Sequence, residues 1–375
     1  MIKTIPKLII FFIIFFGFFF RSSEDFTLFS PGKVTILLSI ILVLFTNINF
    51  WRSLSRLTII YIGFILVIFL TALLSYSSNI ISFYFYELLA LLFIYISGKI
   101  TSYRKINFLN LILIASILVG IIGVIDLIEN PVNSFRRLAL SAGYNYSASN
   151  FAIAATIALY KYLQKRNRLF MILTIILFIF TVIQGSRQAI LGLLIAAIIL
   201  LYNENKKLMI KILFGFGILG TIAFIYLSQF ENLTLLERFS SDHISSSADS
   251  RFVLWYQAVF ENQSILSFLV GSPENNSLIE SKFINNDLFN PHNLFVATYR
   301  YHGFFATILL FLLVIQVFIN KKIDLIYKLL FFITLWYLTF SGELTRSFHF
   351  IFILGFCHGN IYNNIQPLGG QRTKC

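Results

Sequence analysis

LTIIYIGFILVIFLTALLS, residues 57–75, runs nineteen positions without a charged side chain. At about 1.5 Å of rise per residue, a helix of this length crosses the roughly 30 Å hydrocarbon core of a bilayer. Its apolar residues do not alternate, so a membrane helix fits and a barrel strand does not. Comparable runs recur near 5–21, 34–50, 79–97, 107–127, 148–163, 169–185, 188–203, 208–228, 293–319, 325–341 and 345–361. The expected fold is therefore all-α and polytopic, with twelve transmembrane helices. The sixth run, 148–163, is short and only weakly apolar, and losing it would invert every later loop. Composition agrees: 58% of residues are hydrophobic and 12% charged, where soluble domains average about 25% charged.

The formal net charge is +13. In a soluble protein that excess would point to nucleic acid, but cytoplasmic loops of membrane proteins collect Lys and Arg. With a cytoplasmic N-terminus, twelve spans place 19 of the 29 basic residues inside. This alternation predicts a plasma-membrane protein with both termini cytoplasmic and no nucleic-acid partner. MIKTIPKLIIFFIIFFGFFFRSS, 1–23, lacks a small-x-small cleavage site and reads as an uncleaved first span. Cys357 and Cys375 fit neither a metal site nor a disulfide framework.

The type of basic residue differs between the two faces. Inside, lysine outnumbers arginine 13 to 6; outside, eight of ten are arginine. Those eight are Arg21, Arg136, Arg137, Arg187, Arg238, Arg251, Arg300 and Arg346. Arginine is the residue of choice where a planar fork must hold phosphate or carboxylate, so the outer face reads as anion-binding. Snorkelling of arginines at helix ends is the alternative.

Three units follow: a membrane bundle over 1–228, an external loop over 229–292, and a second bundle with a cytoplasmic tail over 293–375. The loop carries eight acids against three basic residues in an otherwise basic chain. Within it, residues 250–262 (SRFVLWYQAVFEN) predict an amphipathic helix capped by Asp249 or Ser250. Phe252, Trp255, Val259 and Phe260 would share its apolar face. Gly271-Ser272-Pro273 then breaks it.

Candidate site residues cluster at the outer ends of spans. The tight Gly185-Ser186-Arg187 turn puts Arg187 at a helix N-terminus, where free N–H groups favour an anion. In FNPHNLFVATYRYHG, 289–303, His292 follows Pro291 at the mouth of a span, and an imidazole, whose unperturbed pKa lies near neutrality, is a candidate general base. Arg300 and His302 lie a few residues inside that span, where ionisable groups face a protein interior or a wet cavity. Arg346 joins the same layer with Glu343 one turn earlier, and Glu87 is the one acid expected to be deep. Phosphate-loop, dinucleotide, paired-histidine metal and Gly-x-Ser-x-Gly patterns are missing from the sequence, so no metal and no cofactor is expected. A flippase or other transporter remains an alternative, although the inverted symmetry common in transporters is not evident.

The order of these stretches resembles a known family. A Gly-Ser-Arg turn before a span (185–194), a long external loop with Arg-x-x-x-Trp and a Gly-Ser-Pro break (251–273), and Pro-His-Asn-Leu followed by glycine (291–303) are similar to the O-antigen polymerase and ligase superfamily. Ala306 stands where many members carry a second glycine. The resemblance implies a metal-independent glycosyltransferase that uses undecaprenyl-pyrophosphate-linked oligosaccharide at the external or periplasmic face. It implies a polymerase of O-antigen or capsule units, or alternatively a ligase onto lipid A core, with a chain-length regulator as candidate partner. Carried over residue by residue, it implies that His292 and Arg187 are catalytic and that Arg251 binds substrate. Arg300, Arg346, Arg136 and Arg137 are then further candidates for holding pyrophosphate or glycan.

Overall fold

The structure, a computed structural model, describes residues 4–19, 31–45, 55–75, 78–129, 144–184, 186–204, 206–207, 209–211, 214, 241–260, 264–271, 279–280, 288–289, 293–341 and 347–363. Among them the helices are α1 (Ile5–Ile14), α2 (Pro31–Phe45), α3 (Arg56–Ser75), α4 (Ser78–Tyr103), α5 (Phe108–Glu129), α6 (Tyr144–Lys165), α7 (Arg168–Ile183) and α8 (Arg187–Glu204). After these come α9 (Ser241–Phe260), α10 (Ile265–Val270), α11 (Leu294–Ile319), α12 (Leu325–Ser341) and α13 (Phe348–Asn363). The sole sheet among the described residues pairs Ile279–Glu280 antiparallel with Leu288–Phe289, Ile279 opposite Phe289. Eleven of the twelve expected spans coincide with described helices; the ninth, 208–228, lies largely outside the described residues.

Among the described residues, four helical stretches, Arg56–Leu73, Phe108–Ile125, Arg187–Glu204 and Leu294–Ile319, are long and apolar enough to cross a membrane, and six further apolar helices are shorter. The outward faces carry the same message. On α3, Tyr61, Phe64, Ile68 and Ala72 are buried, while Ile59, Leu66, Leu70 and Leu73 are exposed. A helix apolar on both its packed and its outer face suits lipid, not water.

The weakly apolar sixth run proves to be the core of the bundle. Residues 146–158 of α6 are buried throughout, so this helix faces protein on every side and needs no lipid-facing hydrophobicity. Its Ala and Ser residues let α7 and α8 approach closely. Polar residues at its start repair a break in α1. Phe15–Phe19 turns as a π-helix, which misaligns backbone carbonyls. Tyr146 Oη donates to Gly17 O at 2.8 Å, and Asn150 Nδ2 donates to Phe18 O.

α4 and α13 cross at close range. A side chain at Gly98 would collide with the carbonyl of Phe352 and stand 2.9 Å from Phe356 N. One at Gly355 would collide with the carbonyl of Tyr95, and one at Gly359 would meet Ser102 Cβ at 2.8 Å. Gly355 and Gly359 are spaced as in small-xxx-small helix contacts. The crossing brings His358 to Tyr95, whose hydroxyl lies 2.9 Å from Nδ1, while Nε2 lies 3.3 Å from Leu313 O. With Tyr95 donating to Nδ1, the Nε2–H is left to donate to that carbonyl.

Contacts along the bundle sort the helix ends into two sets. The 102–109 turn, the end of α6 at 160–165, the 322–327 turn and the end of α13 surround one cavity. This end carries three of the lysine-bearing loops predicted to share a side, those of Lys105, Lys165 and Lys322. The ends of α1, α12 and α9 and the starts of α6 and α13 meet at the other, through ring contacts among Phe18, Tyr146, Tyr337, His349, Phe340 and Trp255.

Candidate functional site

At the second end, only residues 184–186 separate α7 from α8. Ser186, almost wholly buried, caps α8: its carbonyl accepts from Ile190 N at 3.1 Å and its Oγ from Ala189 N at 3.5 Å. Arg187 is therefore the first residue of the helix and is half-buried at its positive N-terminal end. Gln184, which ends α7, is fully buried, and neither polar atom of its amide has a hydrogen-bond partner among the described residues. Further along α8, Gly192 lets the helix approach α12: a Cβ there would stand 3.2 Å from Trp336 Cδ1.

The 229–292 loop forms more helix than its sequence predicts. α9 begins at Ser241, so Asp249 and Ser250 are interior residues and not caps. The packed face also differs from expectation. Leu254, Gln257 and Ala258 are buried, with Val296 of α11 against Leu254 and Ala258. Phe252, Tyr256 and Phe260 are exposed, one turn apart. The helix is apolar on two faces: one covers α11, and the other is free to lie on a membrane surface. Trp255 reaches Phe340 of α12 at 6.1 Å between ring centroids, and Phe340 is 5.0 Å from Trp336, the ring against Gly192. Arg251 is half-buried one turn before Trp255 on the same helix.

Asn293 sets the start of α11. In extended conformation, it accepts through Oδ1 from Phe295 N at 3.0 Å and Val296 N at 3.1 Å. The Asn of Pro291-His292-Asn293 is thus the helix cap. Arg300 is half-buried two turns in, and His302 is buried.

At Gly303 the helix breaks, with φ 76° and ψ −174°. Into this break fits the end of α10, itself capped by Ser264 and closed by Gly271 at φ 84°. A Cβ on Gly303 would collide with the carbonyl of Leu269 and lie 2.5 Å from Gly271 N; one on Gly271 would lie 2.5 Å from His302 N. Phe268 stacks on Phe304 at 5.2 Å beside the crossing. Two glycines more than thirty positions apart, both singled out by motif, therefore meet backbone to backbone. Ala306, where a second glycine was in question, is fully buried. Gly303→Ala should lower the melting temperature of the detergent-purified protein and expose 264–271 to protease. A left-handed non-glycine residue costs about 1–3 kcal/mol before the clash is counted. Unchanged melting and cleavage would show that the crossing is not needed.

One group at this end escapes sequence reasoning. His349, fully buried at the start of α13, sits among Tyr146 (4.5 Å, edge-on), Tyr337 (5.9 Å) and Phe18 (5.9 Å). The available signal was a histidine inside the apolar run SFHFIF, three positions after Arg346. His292, Arg346, Arg136 and Arg137 lie outside the described residues, as does the side chain of Glu87. Of the sequence-predicted site, the structure describes Arg187, Arg251 and Arg300, on three helices of the same end.

These features define a polytopic, mainly helical membrane protein in which the short helix α10 is docked into a broken span. Residues 170–311 match the family model described as O-antigen ligase. The matched stretch contains all three motif segments, from the Ser186 cap through Arg251 to the Gly303 break, and bears out the resemblance to the O-antigen polymerase and ligase superfamily. It supports a membrane enzyme of polymerase or ligase type, acting on lipid-linked glycan. No curated protein and no solved structure matches the chain.

Proposed function

We propose that the protein is a metal-independent glycosyltransferase that polymerises undecaprenyl-pyrophosphate-linked oligosaccharide units at the external face of the bacterial plasma membrane. The observation that carries this reading is Arg187 at the first position of Ser186-capped α8, at the bundle end that also holds Arg251 and Arg300. The leaving group is a lipid pyrophosphate whose charge grows as the glycosidic C–O bond breaks. A guanidinium at the positive end of a helix stabilises that charge without a metal. The acceptor hydroxyl attacks the anomeric carbon and loses its proton to His292, the residue before the Asn293 cap. Donor and acceptor of a polymerase both carry pyrophosphate, and several arginines at one end suit two such groups. Arg136, Arg137 and Arg346 extend this layer in the proposal, and a chain-length regulator is a proposed partner.

The second reading, a ligase that moves the glycan onto lipid A core, draws on the description of the matched family. Purified protein supplied with one lipid-linked repeat unit distinguishes them: a ladder of lengths marks the polymerase, and transfer only to added core marks the ligase. In the same assay His292→Ala should slow product formation by about 10²–10⁴-fold, the usual worth of a positioned base. Wild-type rate in that variant removes His292 from the mechanism.

A further inference from the structure

At the lysine end, a cavity of about 600 Å³ opens among the turns between α4 and α5 and between α11 and α12 and the ends of α6 and α13. That volume lies in the range of about 300–1,000 Å³ of small-molecule sites. Four lysines line it, Lys105, Lys161, Lys165 and Lys322, against a single acid, Asp324. Each lysine is fixed by its backbone. Lys105 follows α4 in left-handed conformation at φ 51°; Lys161 and Lys165 are one turn apart on α6; and Lys322 N donates to Asn320 Oδ1 at 2.9 Å.

The side chain of Lys161 is the preorganised one. It is 8% exposed, donates to Asn110 Oδ1 and lies 5.6 Å from the centre of the Phe170 ring. An ammonium has three donors, so two remain beyond the Asn110 bond. Tyr160 Oη accepts from Gln164 Nε2, which leaves its own proton for another acceptor. Below this rim, Ile106, Leu109 and Phe356 form an apolar floor. Ammonium and hydroxyl donors converging over an apolar floor fit a group with several anionic oxygens attached to an apolar body.

We infer that this cavity is a phosphate-binding site, remote from the glycan site, filled by the headgroup of an anionic phospholipid or by a soluble phosphate compound. Basic pockets between spans take such headgroups by charge and hydrogen bonding. The test uses full-length protein in phosphatidylcholine nanodiscs. Phosphatidylglycerol binding is followed by native mass spectrometry, and inorganic phosphate binding by calorimetry. Wild type should bind phosphatidylglycerol in preference to phosphatidylcholine, and Lys105→Gln/Lys165→Gln/Lys322→Gln, all at exposed positions, should weaken this about tenfold or more. Lys206→Gln/Lys207→Gln, exposed lysines away from the cavity, should bind as wild type. Lysine-dependent binding of inorganic phosphate without lipid preference identifies the soluble source and keeps the site. No binding of either by wild type, or equal binding by wild type and the triple variant, overturns it.

Discussion

Arg187→Lys is expected to remove nearly all glycan product while the protein reaches the membrane at wild-type level. The position fixes both halves of this outcome. Arg187 is the first residue of α8, held there by the Ser186 cap, and is half-buried, so neither charge nor cap changes with lysine. What changes is the fork. A guanidinium offers parallel N–H donors to two phosphate oxygens; an ammonium offers one compact charge on a flexible stem. Losing one oriented donor to a developing oxyanion costs about 3–4 kcal/mol, a rate factor of roughly 10²–10³. The measurement is the rate of product from a lipid-linked repeat unit, with membrane level checked by immunoblot. Full activity in Arg187→Lys would mean that this arginine only anchors its span, and the pyrophosphate site must then be sought at Arg251 and Arg300.

Gly355→Ala should prevent assembly of the bundle altogether. A methyl group there meets the backbone of Tyr95, with Tyr95 C at 2.9 Å, and no rotamer change can move a backbone. Overpacking a core ordinarily costs about 1–3 kcal/mol because side chains give way. Here α4 and α13 must separate, breaking the Tyr95–His358 and Ser102–Asn360 hydrogen bonds. The expected result is loss of the monodisperse peak in fluorescence-detected size exclusion. Gly63→Ala, where nothing stands within 4 Å, supplies the control and should leave that peak intact. A monodisperse Gly355→Ala protein would show that the crossing relaxes more cheaply than its geometry implies.

The spans were legible because lipid demands long uncharged runs, and that demand leaves its mark one helix at a time. α6 was read as marginal for the same reason: hydropathy measures suitability for lipid, and α6 meets almost none. The glycine crossing of α4 with α13 went unread because Gly98 and Gly355 are 257 positions apart and unremarkable singly. In the candidate site, Arg187 at a helix start followed from a short turn. The role of Asn293 as a cap, and the meeting of Gly271 with Gly303, needed the structure. The buried face of α9 was misassigned because every face of SRFVLWYQAVF holds large apolar groups, so periodicity cannot choose among them. His349 was overlooked because its partners come from the Phe15–Phe19 π-helix, α6 and α12.

The break at Gly303 also has a bearing on biogenesis. Residues 264–271 are synthesised before 294–319, but a six-residue helix does not hold its shape alone. The two segments must therefore meet for either to be finished, and a chain without α10 would leave the backbone around Gly303 uncovered.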